Sequence, residues 1–201
     1  MRISTFLSSN IPDDFIGGVI HIFKNNYELY IEGLKYTLII SITGTLLGLF
    51  LALFITIFRI QEIDQRDTFA KRIAKRLSIF ISSSYVEFFR GTPMMVQAAI
   101  FYYGLSSFGV HIPIIIAGII IVTLNTAAYL TEVLRSGING IDPGQIEGAK
   151  SIGLTRSQMY RYIIFPQVLK NMLPAIGNEL VVNIKDTAVL SVIGVSELFY
   201  M

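Results

Sequence analysis

Residues 36–58 read YTLIISITGTLLGLFLALFITIF, without a single charged side chain. At about 1.5 Å per residue, a helix of this length rises roughly 35 Å, enough to cross a hydrocarbon layer about 30 Å thick. Gly44 and Gly48 stand four residues apart in this stretch, a spacing that lets a second helix approach closely. Ordinary packing between helices explains that pair better than a dimerisation motif does. The stretch predicts a transmembrane helix and indicates an all-α fold.

Further apolar segments occupy residues 77–105, 112–134 and 163–185, with polar loops between them. The closing stretch, residues 188–201, is apolar but too short to cross a membrane. The sequence therefore predicts a polytopic helical membrane protein with about four spans. Residues 1–35 mix apolar and polar side chains and predict an N-terminal interfacial helix. Residues 36–201 then form one transmembrane domain.

The charges of the loops predict the orientation of the chain. Loop 59–76 carries six Lys and Arg residues against three acidic ones, so the positive-inside rule places it in the cytoplasm. Alternation of sides then puts loop 106–111, which has no Lys or Arg, outside. Loop 135–162 returns to the cytoplasm. The N-terminal segment, which is more acidic than basic, suits the outside.

Several function classes find no support in the sequence. A net charge of +2, with the basic residues between apolar runs, does not indicate nucleic-acid binding. The chain has no cysteine, and His21 and His111 are isolated, so neither thiol chemistry nor a metal site is expected. Phosphate-binding G-x-x-x-x-G-K-[ST], H-E-x-x-H and G-x-S-x-G motifs are absent. No removable signal peptide is visible. We expect a non-enzyme that binds no cofactor itself.

A short amphipathic helix is predicted within loop 136–162. Asp142 is placed to cap its start before a proline, and Gly153 to end it. Apolar positions recur at helical spacing, at Ile146, Ala149 and Ile152. Thr155 begins a further helical segment, which Pro166 would bend. The simple interpretation is a surface linker with Glu147 as a solvated charge, but a protruding helix also suits a groove on a soluble partner.

The spacing in this loop decides between those interpretations. Glu147-Gly148-Ala149, three residues, Gly153, nine residues and then IIFP at 163–166 resemble the E-A-A, three residues, G, nine residues, I-x-L-P signature of ABC importer permeases. Gly148 and Phe165 depart from it. In that family the motif forms the coupling helix that inserts into the ATP-binding subunit. The resemblance implies an ATPase-coupling role for Glu147, Gly148, Ala149, Ile152, Gly153 and Pro166.

Three more segments narrow the resemblance to permeases for polar amino acids, the histidine, glutamine and arginine group. They are YVEFFRGTP at 85–93 with Gln97 following, YLTEVLR at 129–135 with Gly137 following, and NIKDTAVLSVIG at 183–194. Together the matches cover residues 33–200 in the family's order. The resemblance implies the type I importer fold. Permeases of this group carry one more helix beyond the point where this sequence stops, so we expect that a fifth span is missing from it.

The resemblance also implies the setting in which the chain works. Its partners would be an ATP-binding cassette subunit, a second permease chain (identical or not) and an external solute-binding protein. ATP and magnesium would bind the ATPase subunit, and the chain would lie in the bacterial cytoplasmic membrane. A polar amino acid would be the substrate.

Polar side chains within the apolar segments are candidates for the substrate pathway or its gates. A charge at the helix centre costs roughly 2.5 kcal/mol or more, so such groups face protein or water. Spacing predicts ion pairs between Glu87 and Arg90 and between Glu132 and Arg135. Structural or gating roles are favoured for Glu87, Arg90, Glu132, Arg135, Lys185 and Asp186, because motif residues shared by a family cannot select among substrates. For Asn125, Asn178, Glu179 and Asn183 both roles stay open. The segment at 85–93 and the Gln97 that follows it add four more candidates for the pathway: Gly91, Thr92, Pro93 and Gln97.

Three other functions compete with this interpretation. A channel or secondary transporter predicts internal pseudo-symmetry, which the sequence does not show, and leaves the spaced loop motif unexplained. A membrane enzyme using Glu87 or Glu132 predicts a nearby nucleophile or metal cluster. A scaffold subunit without a transport role is the third.

Overall fold

A computed structural model describes residues 14–65 and 67–201, which contain helices but no strand. The α-helices, in chain order, are α1 (Phe15–Arg59), α2 (Phe69–Gly91), α3 (Met94–Ser107), α4 (Ile114–Asn139), α5 (Pro143–Ser151), α6 (Arg156–Met159) and α7 (Phe165–Asp186). A π-helical turn, Tyr160–Ile164, joins α6 to α7, and a 3₁₀ helix, Thr187–Ile193, follows α7.

Among the described helices, α1 and α4 are long and apolar enough to cross a membrane. The other two predicted spans correspond to helices that are more polar. Segment 77–105 falls on α2 and α3, and segment 163–185 falls mainly on α7. The count of four spans therefore stays a prediction.

The start of α1 differs from the sequence prediction. The helix is unbroken from Phe15 to Arg59, so no separate element ends at residue 35. Asp14 caps it by accepting a hydrogen bond from the Gly17 N–H at 2.7 Å. No proline interrupts residues 15–35, so nothing in the backbone stops the helix before the apolar stretch. Residues 1–13 of the predicted interfacial segment lie outside the described residues, and the interfacial location stays a prediction.

The second predicted segment starts earlier and is divided. α2 begins at Phe69 rather than residue 77, and Asp67 just before it pairs with Lys71 and Lys75, one and two turns into the helix. The hydrogen bond from Lys75 lowers the pKa of Asp67 to about 2, so this pairing persists until the pH falls well below 4. At the other end Thr92 is extended (φ −116°, ψ 142°), because the α conformation is disfavoured before Pro93. The expected kink is thus a complete break between α2 and α3.

The core is built by the packing of α4 against α1. A Cβ on Gly44 would lie 2.5 Å from Val122, and one on Gly48 would lie 2.7 Å from Thr126, so both glycines permit the close approach. The predicted packing role of this pair is confirmed. Two apolar clusters extend from the seam: one joins α1 and α4 to α5 and α7, and the other joins them to α3 and the 3₁₀ helix.

Candidate substrate cavity and coupling helix

The break between α2 and α3 faces a cavity of about 600 Å³, which α4 and α7 also line. It brings together eight of the predicted pathway residues: Arg90, Gly91, Thr92, Pro93, Asn125, Asn178, Glu179 and Asp186. Tyr129, Met94 and Val182 complete the wall. Residues from four helices thus converge on one space.

Gln97 stabilises the break between α2 and α3 through side-chain hydrogen bonds, although it does not itself line the cavity. Its Nε2 donates to the Phe89 carbonyl near the end of α2 and to the Thr92 carbonyl in the break, each at 2.9 Å. Its Oε1 accepts from Asn125 Nδ2 at 3.2 Å, which ties the break to α4. Pro93 and Met94, at the start of α3, lie in the cavity wall, where the helix dipole favours a negative charge.

Opposite charges stand on different walls of the cavity. Arg90 comes from α2 and lies over the ring of Tyr129, with 5.5 Å between the guanidinium carbon and the ring centroid. Glu179 and Asp186 are seven residues apart on α7, hence on one face two turns apart. The cavity can therefore offer a cation and helix N–H groups to a carboxylate, and two carboxylates to an ammonium group.

The remaining pathway candidates have other surroundings. Asn183 is buried and donates to the Thr45 and Thr126 hydroxyls, both at 2.8 Å, so it joins α7 to α1 and α4. Lys185 is exposed. Glu87 is also exposed and forms no ion pair within residues 14–65 and 67–201. The predicted Glu87–Arg90 pair is therefore wrong, because Arg90 turns away toward Tyr129 and α4.

Glu132 forms the centre of an ion cluster at one end of the bundle. Its carboxylate accepts from Arg135 Nε at 3.2 Å, as the spacing predicted, and lies 2.6 Å from Arg59 Nη1. Arg90 Nη1 is 4.0 Å away. The cluster links α1, α2 and α4.

Two of these positions were not among the predicted site residues. Arg59 was assigned to a loop, although it directly follows the charge-free stretch and so lies at membrane depth or at its edge. Tyr129 shares a helix face with Asn125 and Glu132, and that spacing was the available signal for its place in the cavity.

The predicted short helix is present as α5, with the predicted ends. Asp142 caps it by accepting from the Gly144 N–H at 2.7 Å. Gly153 has φ +78°, and its N–H and that of Leu154 bond back to the Lys150 and Ala149 carbonyls, the pattern that closes helix C-termini.

The outer surface of α5 is available to a partner. Ala149 packs into the core, whereas Glu147, Gly148 and Gly153 are exposed. Ile152 was predicted to share the buried stripe, but it is 75% exposed because α5 ends one residue before it and the stripe stops there. The exposed side chains of Ile152 and Glu147 give this region of the chain both apolar and charged character.

A π-helical turn, Tyr160–Ile164, directly precedes Phe165 and Pro166 in the connection from α5 to α7, and the bend expected at this proline stays a prediction. Because proline has no N–H and its ring crowds the preceding turn, the chain widens there, and the Phe165 N–H reaches the Tyr160 carbonyl five residues back. Gln167 Nε2 donates to Gln145 Oε1 at 3.1 Å, which links α7 directly to α5.

Residues 68–201 match the family described as binding-protein-dependent transport system inner membrane component. The chain belongs to this family. It is 37% identical to the arginine transport system permease protein ArtQ of Bacillus subtilis, over 83% of this chain and 71% of that protein. It is 30% identical to the probable glutamine ABC transporter permease protein GlnM of the same organism, over 90% of this chain and 78% of that one.

A solved structure, described as the crystal structure of an amino acid ABC transporter with histidines, is similar in fold. It aligns with a TM-score of 0.79 and 37% identity over 94% of this chain and 80% of that chain. The predicted ABC permease and its all-α membrane fold are therefore confirmed. As a binding-protein-dependent inner membrane component, the chain is a transport subunit and not itself an enzyme. Family membership implies an ATPase and a solute-binding protein as partners.

Proposed function

We propose that this permease moves a polar amino acid across the cytoplasmic membrane through the cavity between α2, α3, α4 and α7. The observation that carries the proposal is the separation of charge in that cavity. An amino acid's carboxylate fits Arg90 and the start of α3, and its ammonium group fits Glu179 and Asp186. A volume of about 600 Å³ lies in the range of small-molecule sites.

The charge balance of the cavity favours amino acids with a basic side chain. With both carboxylates ionised, their charge exceeds that of the one guanidinium, and a cationic side chain would offset the difference. The names of the similar proteins, which refer to arginine, glutamine and histidines, support a polar amino acid in general.

The cavity assignment is tested by uptake in proteoliposomes that contain the assembled transporter. Glu179→Gln and Asp186→Asn each remove a carboxylate, and we expect a KM for arginine at least about tenfold higher, as for the loss of a charged contact. Glu87→Gln removes an exposed carboxylate outside the cavity and serves as the matched control. An unchanged KM in both cavity variants would overturn the assignment.

We propose further that α5 docks into the ATPase subunit and transmits its closure to the bundle as a rigid-body motion. Glu147, Gly148, Ala149, Ile152 and Gly153 would form the contact, and Pro166 with the Gln145–Gln167 hydrogen bond would connect it to α7. Two permease chains, identical or different, would enclose the pathway, and an external solute-binding protein would deliver the amino acid.

Glu147→Arg should abolish ATP-dependent uptake while membrane insertion stays intact, because the reversed charge meets the docking surface of the ATPase. The measurement compares uptake with the amount of inserted protein. Glu28→Arg reverses the charge of an exposed residue in the N-terminal part of α1 and is the control. Full uptake by Glu147→Arg would exclude this coupling role. Uptake that follows an ion gradient without ATP would favour the alternative, a secondary transporter or channel.

The cytoplasmic position of loop 136–162 belongs to the same proposal. The chain contains no cysteine, so single cysteines report orientation without background. A membrane-impermeant thiol reagent added to intact cells should label Ser107→Cys and spare Ser151→Cys. The reverse pattern would invert the proposed topology.

A further inference from the structure

A second cavity, of about 740 Å³, opens where the end of α1 meets α6 and the π-helical turn. Three basic side chains stand in its wall, Lys75, Arg156 and Arg161, beside the apolar side chains of Ile57, Ile60 and Phe165. None of these residues belongs to the amino acid cavity or to the predicted coupling residues. The cavity thus combines positive charge with an apolar wall. A small soluble anion would need only the positive charge.

The charges in this wall are not balanced from within. Arg156 lies 3.4 Å from Glu62, the one carboxylate among the lining residues. Lys75 is held by Asp67 just outside the wall and donates to the Glu62 carbonyl at 2.8 Å. Arg161 has no ion pair within the described residues and rests over the ring of Tyr162, 5.6 Å from the centroid. Lys75 and Arg156 thus have acidic partners, and Arg161 leaves one positive charge in the wall for a bound anion.

An apolar stripe on α1 leads from the membrane to the mouth of this cavity. Phe50, Phe54 and Ile57 follow one another at helical spacing and are 68%, 59% and 53% exposed. Ile57 belongs both to the stripe and to the cavity wall. A molecule with a hydrocarbon chain along the stripe would therefore place its polar end against the arginines.

We infer that this cavity binds the phosphate headgroup of an anionic phospholipid, with an acyl chain lying along the stripe. Basic pockets at the cytoplasmic ends of membrane helices recognise such headgroups, and each nearby Lys or Arg adds to the attraction. Placing the lipid in the cytoplasmic leaflet rests on the orientation given under the proposed function. Binding itself does not depend on that orientation.

The test uses the assembled transporter in detergent, with lipid binding followed by native mass spectrometry. Phosphatidylglycerol and phosphatidylcholine with the same acyl chains are compared, and inorganic phosphate is added as a competitor. We expect phosphatidylglycerol to bind preferentially and to resist millimolar phosphate. Arg156→Gln/Arg161→Gln should weaken its apparent affinity about tenfold or more, whereas Arg76→Gln, an exposed arginine outside the cavity, should not.

Each other result overturns the inference. Equal binding of both lipids would show that the arginines do not read the headgroup, and displacement by inorganic phosphate would assign the cavity to a free anion. Loss of the ATPase during purification of the double variant would make this surface a protein contact. A parallel uptake assay in phosphatidylcholine liposomes separates the two proposals, since failure of the lipid site leaves that uptake intact.

Discussion

Asn183 shows how a single polar side chain acquires its role from its partners. The sequence left its role open between substrate contact and structure, because both uses place an amide on an inward face. In the folded chain its Nδ2 donates to hydroxyls on two other helices, which uses both of its N–H groups. We therefore expect a structural role for Asn183, which lies where α1, α4 and α7 meet.

Asn183→Ala should destabilise the bundle by about 1–2 kcal/mol, because it removes two buried hydrogen bonds and leaves a small void. The midpoint of thermal unfolding in detergent measures this loss. Asn178→Ala, an exposed position on the same helix, is the control and should unfold at the wild-type temperature. Equal midpoints for the two variants would contradict the structural role.

The residues that the sequence located well are those whose position depends on local spacing. Asn125, Glu179 and Asp186 were predicted to face inward from helical periodicity, and they line the cavity. The partner of Arg90 could not be found this way, because Glu87 is nearer in sequence whereas Glu132 and Tyr129 are nearer in space. Spacing along one helix carries no information about a side chain that reaches across to another.

At the scale of helices, the close contact of α1 with α4 depends on small residues. Gly48→Leu should destabilise the protein by about 1–3 kcal/mol, since even its Cβ would lie 2.7 Å from Thr126. Gly104→Leu is the matched control, because a Cβ there meets nothing within 4 Å. Thermal unfolding of both variants in detergent checks the difference, and a Gly48→Leu protein as stable as Gly104→Leu would refute the packing role.

Hydropathy and helix caps predicted the helices that local sequence alone defines. α1 and α4 follow from charge-free or nearly charge-free stretches, and α5 follows from its caps at Asp142 and Gly153. The interruption at Pro93 was expected as a kink, because proline inside an apolar run permits either a bend or a break. Gln97 completes the break by donating to the Phe89 and Thr92 carbonyls, side-chain hydrogen bonds that hydropathy does not specify.

At the scale of the whole molecule, the ion cluster around Glu132 connects α1, α2 and α4 at one end of the bundle. Glu132→Gln would leave Arg59 and Arg135 without their shared carboxylate, and we expect a loss of about 2 kcal/mol in stability. Thermal unfolding in detergent measures it. Glu87→Gln, the same chemical change at an exposed site without an ion pair in the described chain, should have little effect. A double variant, Arg59→Gln/Glu132→Gln, should recover part of the loss if the unpaired arginine causes it.

The unbroken length of α1 has a mechanical consequence for the transporter. Its 45 residues extend about 68 Å, roughly twice the thickness of the hydrocarbon layer, and residues 15–35 account for about 30 Å of that length. Because no break separates the two parts, a tilt of about 10° at residue 36 would carry Phe15 sideways by about 5 Å. A small rotation of the bundle would therefore produce a displacement of several ångströms at the N-terminal end of α1.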